Sequence, residues 1–359
     1  MGDLLETMID DLRQLVEAES PSHDPLLLAQ SAETVAALME RCLGTRPTLV
    51  EGGAGPHVHW SGGGTPKVLI LGHHDTVFPA GTLSRRPFAV ENGRATGPGV
   101  FDMKAGIVQA IHAVASLDDR SGVEMLLSCD EEIGSLTSRE LLEERALACG
   151  AVLVLEPSGD GGALKTGRKG TGTFEVVIGG RAAHAGLEPH RGVNSLIEAA
   201  HQVLQIASFA DDSQGTTVTP TVAHAGTADN VVPAETRVRV DVRVTSAEEA
   251  HRIETAFAGL SPVNSGASIA VTGRVGRPPM PESASAELMP LALAHDSSII
   301  GVAVGGGSDG NFTAARGVPT LDGLGAVGGG AHADHEYVEV ATMPGRAELL
   351  AAIIEARMN

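Results

Sequence analysis

The sequence predicts an α/β fold: a mainly parallel sheet with helices on both faces, carrying an inserted ferredoxin-like α+β domain. Three observations predict it. Near-continuous apolar runs, "KVLIL", "VEMLLSC" and "AVLVLE", alternate with helical stretches, the pattern of strands buried on both faces of a parallel sheet. From about Gly170 the strands change character. In "GTFEVVIGG" and "AETRVRVDVRV" apolar and polar residues alternate, which suits a sheet with one exposed face. The chain also has 359 residues, more than one compact core of ordinary size uses.

Each element follows from its period. Apolar residues recur at helical spacing over roughly residues 3–19 and 25–43. Short strand-like runs follow, "PTLVE", "HVHW" and "KVLILG", then a helix from Met103 to about Ser116. "VEMLLSC" is a buried strand, "TSRELLEERAL" a helix and "AVLVLE" another buried strand. Next come the strand "GTFEVVIGG", a helix from Val193 to about Ala207, and the strands "TTVTPTVAHAG" and "AETRVRVDVRV". A helix from Ser246 to about Leu260 and the strand "ASIAVTG" complete the order β-α-β-β-α-β of the split ferredoxin-like unit. After the linker "GRPPMPES" the helix-and-strand pattern returns and ends on a helix from Met343. The expected division is a catalytic α/β domain over residues 1–171 and 282–359, with an inserted domain at 172–281. The exposed face or edge of the insert offers a surface for a second subunit.

Composition narrows the function. Hydrophobic residues make up 42% and charged residues 19%, as in a globular chain. A net charge of -20 argues against nucleic acid and against an anionic membrane, because phosphates need Lys and Arg. No run of about 18 apolar residues is present to span a bilayer. The start, "MGDLLETMIDDLRQL", is acidic and amphipathic, unlike a signal peptide. Cys42, Cys129 and Cys149 give neither a disulfide framework nor a thiolate zinc site. A cytoplasmic protein is the expectation.

Acidic and histidine residues cluster just past the predicted strand ends. "KVLIL" runs into His73, His74 and Asp75; "VEMLLSC" into Asp130, Glu131 and Glu132; "AVLVL" into Glu156. Ligands of open α/β sheets bind outside the carboxyl ends of the strands, so parallel strands bring these three clusters to one edge. Side chains alternate along a strand, so His73 and Asp75 share a face and His74 points away. A ligating imidazole gives its other N–H to a carboxylate, which makes His73 with Asp75 the candidate ligand pair. His74 is expected to pack or to hydrogen-bond elsewhere. Asp102 precedes a helix and suits either an N-cap or a ligand. Three adjacent carboxylates in "CDEEIGS" suit a solvated turn, or a cation that relieves their repulsion. "GGGAHADHEYVEV" adds His332 and His335. Carboxylates and imidazoles without thiols suit zinc, manganese or cobalt at a hydrolytic site.

The ordered motifs "GHHDTV", "GPGVFDMKAG", "DEEIGS", "LEPS" and "GAHADHEYV" resemble those of the zinc-dependent exopeptidase and deacylase family. That family includes glutamate carboxypeptidase, acetylornithine deacetylase, succinyl-diaminopimelate desuccinylase and aminoacylase. The resemblance spans essentially the whole chain, and the glutamate carboxypeptidase branch is the nearest in "GPG", "GGGSDG" and "HADHEYV". It implies two divalent ions, zinc first, with cobalt or manganese as alternatives. His73 and Glu156 would hold one ion, Glu132 and His332 the other, and Asp102 would bridge them. The Asp102–Met103 peptide is implied to be cis. Glu131 would be the general base and Asp75 the orienter of His73.

In the insert the resemblance assigns His184 of "GRAAHAG" to a partner subunit's site in a homodimer. It assigns Asn230 and Arg243 to the substrate carboxylate, and Arg277 of "GRPPM" to a position used by glutamate-specific members. Two departures stand out. His74 occupies a position that is often apolar in the family. The glycine-rich segment after Glu156 replaces a stretch where glutamate-specific relatives carry a lysine, with Lys165, Arg168 and Lys169 nearby but offset. The implied reaction is hydrolysis of an amide next to a free carboxylate, in an N-acyl amino acid or small peptide. The alternatives are a ureido or carbamoyl amidase, a non-hydrolytic activity on the same metals, and a metal-binding protein without turnover.

Overall fold

The structure is a computed structural model and describes residues 2–358. It divides into two compact units. The first comprises residues 2–167, Pro281–Val304 and residues 308–358; the second comprises Arg168–Met280 and Gly305–Gly307.

A six-stranded sheet organises the first unit. In spatial order its strands are Thr48–Glu51, Pro56–Ser61, Val123–Ser128, Val68–His73, Val152–Val154 and Thr320–Leu321. The last four run parallel to one another, and Pro56–Ser61 runs antiparallel to both of its neighbours, Val123–Ser128 and the edge strand Thr48–Glu51. The apolar runs are continuous because both faces are covered. Val68, Ile70, Met125 and Leu127 pack into the larger core with the helices Gly2–Glu17, Ala105–Ser116 and Met343–Met358. Their neighbours Leu69, Leu71 and Leu126 pack on the other face with Leu142 and Phe312. The predicted fold class therefore holds.

Two local features depart from the expected elements. The helix after Asp102 begins at Ala105, not Met103, because an irregular π-type turn occupies Val100–Lys104. The Asp102–Met103 peptide in that turn is cis, as the resemblance implies. A small antiparallel sheet joins Ala89–Glu91, Arg94–Thr96, Tyr337–Glu339 and Gly328–Gly329. These strands are two or three residues long, too short to carry a periodic signal.

Arg346, on the final helix of the first unit, is buried and donates to three carbonyls: Gly325 (2.9 Å), Gly162 (3.0 Å) and Gly323 (2.5 Å). Burial lowers its pKa to about 10. A Cβ at Gly325 would come within 2.2 Å of the Leu155 carbonyl, so only glycine lets this loop pass the end of the strand that leads to Glu156.

The second unit is a four-stranded antiparallel sheet, in the order Thr217–Ala225, Glu235–Val244, Gly170–Gly179 and Ser268–Arg277. Phe174, Val176, Ile178, Val238, Val240 and Val242 form its buried face, and helices Ser195–Ala207 and Ala247–Ala258 contribute Ala199, Ile206, Ile253 and Phe257. Phe174 stacks on Phe257 with centroids 4.0 Å apart. Asn194 caps the first of these helices and Ser246 the second.

Candidate metal centre

Five segments of the first unit bring their polar side chains together. His73 is the last residue of its strand. Its Nε2 lies 3.3 Å from Asp102 Oδ1 and 3.8 Å from Glu156 Oε1. His332 Nε2 lies 3.3 Å from Asp102 Oδ2 and 3.1 Å from Glu132 Oε2. Asp102 thus turns one oxygen to each histidine. The potential ligand atoms of His73, Asp102 and Glu132 fall within 4.8 Å of one another, as do those of His73, Glu131 and Glu156. His73 is fully buried, whereas His332 is half exposed and takes a positive φ of 63°.

The donor set fits divalent ions. Asp102 Oδ1 and Glu132 Oε1 are buried without a hydrogen-bond partner, although each belongs to a cluster of imidazole and carboxylate groups. Buried polar atoms left unpaired are costly unless something else satisfies them. The electrostatics agree. Burial opposes charge on His73, but Asp102 and Asp75 outweigh it and raise the imidazole pKa well above its ordinary value. Asp102 and then Glu132 raise that of His332 to about 10. Burial likewise opposes charge on Asp102, yet His332 and His73 keep its carboxyl well below the usual range. The cluster draws positive charge strongly, as oxygen and nitrogen ligands of a cation do.

Two buried carboxylates support the cluster from behind. Asp75 is two residues beyond His73, past the strand's end. Its Oδ1 lies 3.3 Å from His73 Nδ1, and its own carbonyl 3.0 Å from the same nitrogen. It also accepts hydrogen bonds from Glu131 N and Glu132 N, each at 3.2 Å, and from Ser22 Oγ at 2.7 Å. Glu336 is fully buried and accepts from Gly99 N (3.0 Å), Phe101 N (2.9 Å) and Asp102 N (2.8 Å). Burial raises its pKa, and the Asp102 charge adds to the effect. At Gly99, with φ 71°, a Cβ would come within 2.4 Å of Thr76 Cγ2, so the turn before Asp102 requires glycine there.

Sequence reasoning missed several of these supports. Glu336 sits inside the motif that holds His332, but no spacing rule reveals a carboxylate that binds backbone amides. Ser22, and Lys104 with its Nζ on Ala18 O at 2.8 Å, gave no signal either. Burial lowers the Lys104 pKa to about 7. Asp309 of "GGGSDG" accepts from Ser128 Oγ at 3.1 Å and from Ser135 Oγ, tying down both ends of the loop that carries Glu131 and Glu132.

The other expected residues fall elsewhere. Asp102 is not the cap of the following helix, whose N-cap position is Lys104. His74 is buried, with Nδ1 3.2 Å from Ser31 Oγ and Nε2 3.0 Å from the Pro56 carbonyl, and burial lowers its pKa to about 4. His335 is exposed on the loop beside His332. In the second unit, His184 and Val231 form a bridge, and Ala185 N donates to Asn230 O at 2.8 Å, so His184 and Asn230 lie on adjoining backbone. His184 Nδ1 accepts from Gly186 N and Leu187 N, both at 3.1 Å, which assigns its proton to Nε2 when neutral. Arg243 and Arg277 share one cross-strand row, on either side of Thr171. Arg243 makes a two-point pair with Asp241, both contacts 2.9 Å, and Arg277 is buried.

Fold and site together define an α/β protein with a candidate metal centre at the carboxyl ends of its parallel strands. Residues 69–356 match the model of peptidase family M20/M25/M40. The chain is 33% identical over 311 residues to carboxypeptidase G2 of Pseudomonas sp. strain RS-16, covering 82% of this chain and 74% of that one. It is 27% identical over 316 residues to a succinyl-diaminopimelate desuccinylase of Thioalkalivibrio sulfidiphilus, covering 80% and 83%. Among solved structures, an aminopeptidase from Bacillus cereus superposes with a TM-score of 0.80 at 21% identity, over 99% of both chains. A metallo-carboxypeptidase of the M20 family from Sulfolobus solfataricus does so with a TM-score of 0.73 at 17% identity, also over 99% of both chains. The chain belongs to peptidase family M20/M25/M40. Among the described residues no helix is long and apolar enough to cross a membrane.

Proposed function

We propose that the protein hydrolyses an amide bond next to a free carboxylate, in a small peptide or an N-acyl amino acid. The observation that carries this reading is Asp102 set between His73 and His332, with Glu131 in the same cluster. His73 and Glu156 would hold one divalent ion, Glu132 and His332 a second, and Asp102 both. When bound, such ions, zinc in the first instance, would supply Lewis acidity and lower the pKa of a bound water. Glu131 takes the proton from the attacking water and passes it to the departing amine. Asp75 holds the His73 ring and the backbone of Glu131 and Glu132 in place.

The second unit supplies the substrate contacts in this reading. His184, with its proton on Nε2, donates to the oxygen that gains charge as the carbonyl is attacked. The family resemblance assigns that role across a homodimer. Mixing His184→Ala with Glu131→Gln subunits then restores part of the activity that each variant lacks alone; a fully active monomer overturns it. Arg243 and Asn230 hold the substrate carboxylate, so Arg243 exchanges its Asp241 partner for substrate. Arg277 acts on substrates with an acidic side chain.

Two measurements test the proposal. A screen of N-acyl amino acids, dipeptides, N-carbamoyl amino acids and matched C-terminal amides, with zinc, cobalt or manganese, should show turnover of free carboxylates over their amides. Equal rates on acids and amides remove the carboxylate clamp, and preference for carbamoyl compounds moves the reading to a ureido amidase. Glu131→Gln should retain metal and lose at least about 10²-fold in kcat, the range for a general base. Asp102→Ala should weaken both ions; loss of neither contradicts its bridging role.

A further inference from the structure

Glu336 belongs to the same short segment as His332, and the two reach the same target by different routes. Gly330 O accepts from Ala333 N at 2.9 Å, and Ala333 O accepts from Glu336 N at 3.1 Å, so the segment closes into a tight loop. His332 Nε2 faces the Asp102 side chain, while the Glu336 carboxylate takes the Asp102 backbone N–H. The strand that follows, Tyr337–Glu339, pairs with Arg94–Thr96, which leads into the turn before Asp102. One segment therefore grips Asp102 by both its carboxylate and its amide.

A carboxylate suits this place because it only accepts. Oε1 takes Phe101 N and Asp102 N, and Oε2 takes Gly99 N. Arg86 Nη2 lies 3.5 Å from Oε2 and donates to Glu336 O and Gly97 O at 3.3 and 2.9 Å. A glutamine would offer one accepting oxygen and turn an NH2 group toward at least one backbone N–H. A carboxylate so near Asp102 also carries a repulsion that a purely structural device would avoid. We infer that Glu336 is a positioning residue: it fixes Asp102 where one oxygen reaches each histidine, and so sets metal affinity without touching the metal. The inference rests on the reading of this cluster as a metal centre.

The test is a titration of metal-free protein with Co²⁺, followed by visible absorption, for the parent, Glu336→Gln and Arg86→Met. Glu336→Gln should bind Co²⁺ about 10–100-fold more weakly, the range for losing a partner of a ligand. Its absorption bands should shift, because the Asp102 carboxylate no longer sits in one place. Arg86→Met keeps the carboxylate but loses its cation, and should show a smaller loss in the same direction. Parent-like affinity and spectrum in Glu336→Gln overturn the inference. Should Glu336→Gln fail to fold by circular dichroism, Arg86→Met decides: weaker Co²⁺ binding supports the inference, and parent-like binding overturns it. A parent that takes up no Co²⁺ overturns the metal-site reading itself, and the inference with it.

Discussion

Asp75 and Glu336 are buried carboxylates with similar surroundings and different reach. Each lies a few residues from a histidine of the cluster, two beyond His73 and four beyond His332. Each accepts backbone N–H groups from another segment that carries a carboxylate of the cluster: Glu131 and Glu132 for one, Asp102 for the other. Asp75 also faces an imidazole nitrogen, whereas the bonds accepted by Glu336 come from backbone and Arg86. One anchor fixes the proton position and angle of a ring as well as a loop. The other fixes a loop. Equal burial and equal charge thus give unequal control over the site.

The largest expected effect comes from Asp75→Asn. Its amide would face either His73 Nδ1 or the Glu131 and Glu132 amides, and one of those contacts would be lost. Co²⁺ affinity or kcat/KM should fall by about 10²-fold, the upper end for an outer partner of a ligand. A loss smaller than that of Glu336→Gln would reverse the ranking of the two anchors. The double variant sharpens the comparison. Both anchors converge on one cluster, so the combined loss in Co²⁺ binding should depart from the sum by about 0.5–3 kcal/mol. Strict additivity would mean that they serve independent sites.

A weaker effect is expected from Ser22→Ala, which removes the 2.7 Å bond to Asp75 Oδ2 but leaves both backbone donors. It should cost about 1.5–3 kcal/mol of folding stability in urea, as for a hydrogen bond to a charged group. The Co²⁺ spectrum should stay that of the parent; a shifted spectrum would show that Ser22, too, controls the His73 ring.

The smallest effect at neutral pH belongs to His74. Its folded pKa of about 4 lies below the ordinary 6.5, so the unfolded chain binds the proton first as pH falls. Its titration costs the fold nothing above pH 6.5, and a penalty builds as pH falls from 6.5 to 4, about 3 kcal/mol in all. Unfolding free energies measured across that window should therefore fall less steeply in His74→Gln than in the parent. Equal slopes would remove His74 from the acid sensitivity of the fold.

The legible parts were those where chemistry and chain order coincide. Val68–His73 was readable because its residues alternate between two apolar cores and the strand ends on polar side chains. Asp75 was readable because a carboxylate two residues from a histidine has a known use. Glu336 was not, because its partners are amides 234 to 237 residues away, and an amide looks alike at every position of a sequence. The small sheet that places it was hidden too, since strands of two or three residues have no period to detect. In the second unit the alternation of Glu235–Val244 marked which face is buried. It gave no hint that Arg243 is held by Asp241.

The three carbonyls gripped by Arg346 bear on when the protein becomes competent during its synthesis. The second unit draws its four strands from one continuous stretch, Arg168–Met280. All four are synthesised while the first unit still lacks its sixth strand, His332, Glu336 and the final helix. Gly325, whose carbonyl Arg346 holds, donates its own N–H to the Glu156 carbonyl at 2.9 Å. The loop beside Glu156 is therefore pinned only after residue 346 has left the ribosome. A nascent chain stalled before that point carries His73, Asp102, Glu131 and Glu132 on an unfinished scaffold.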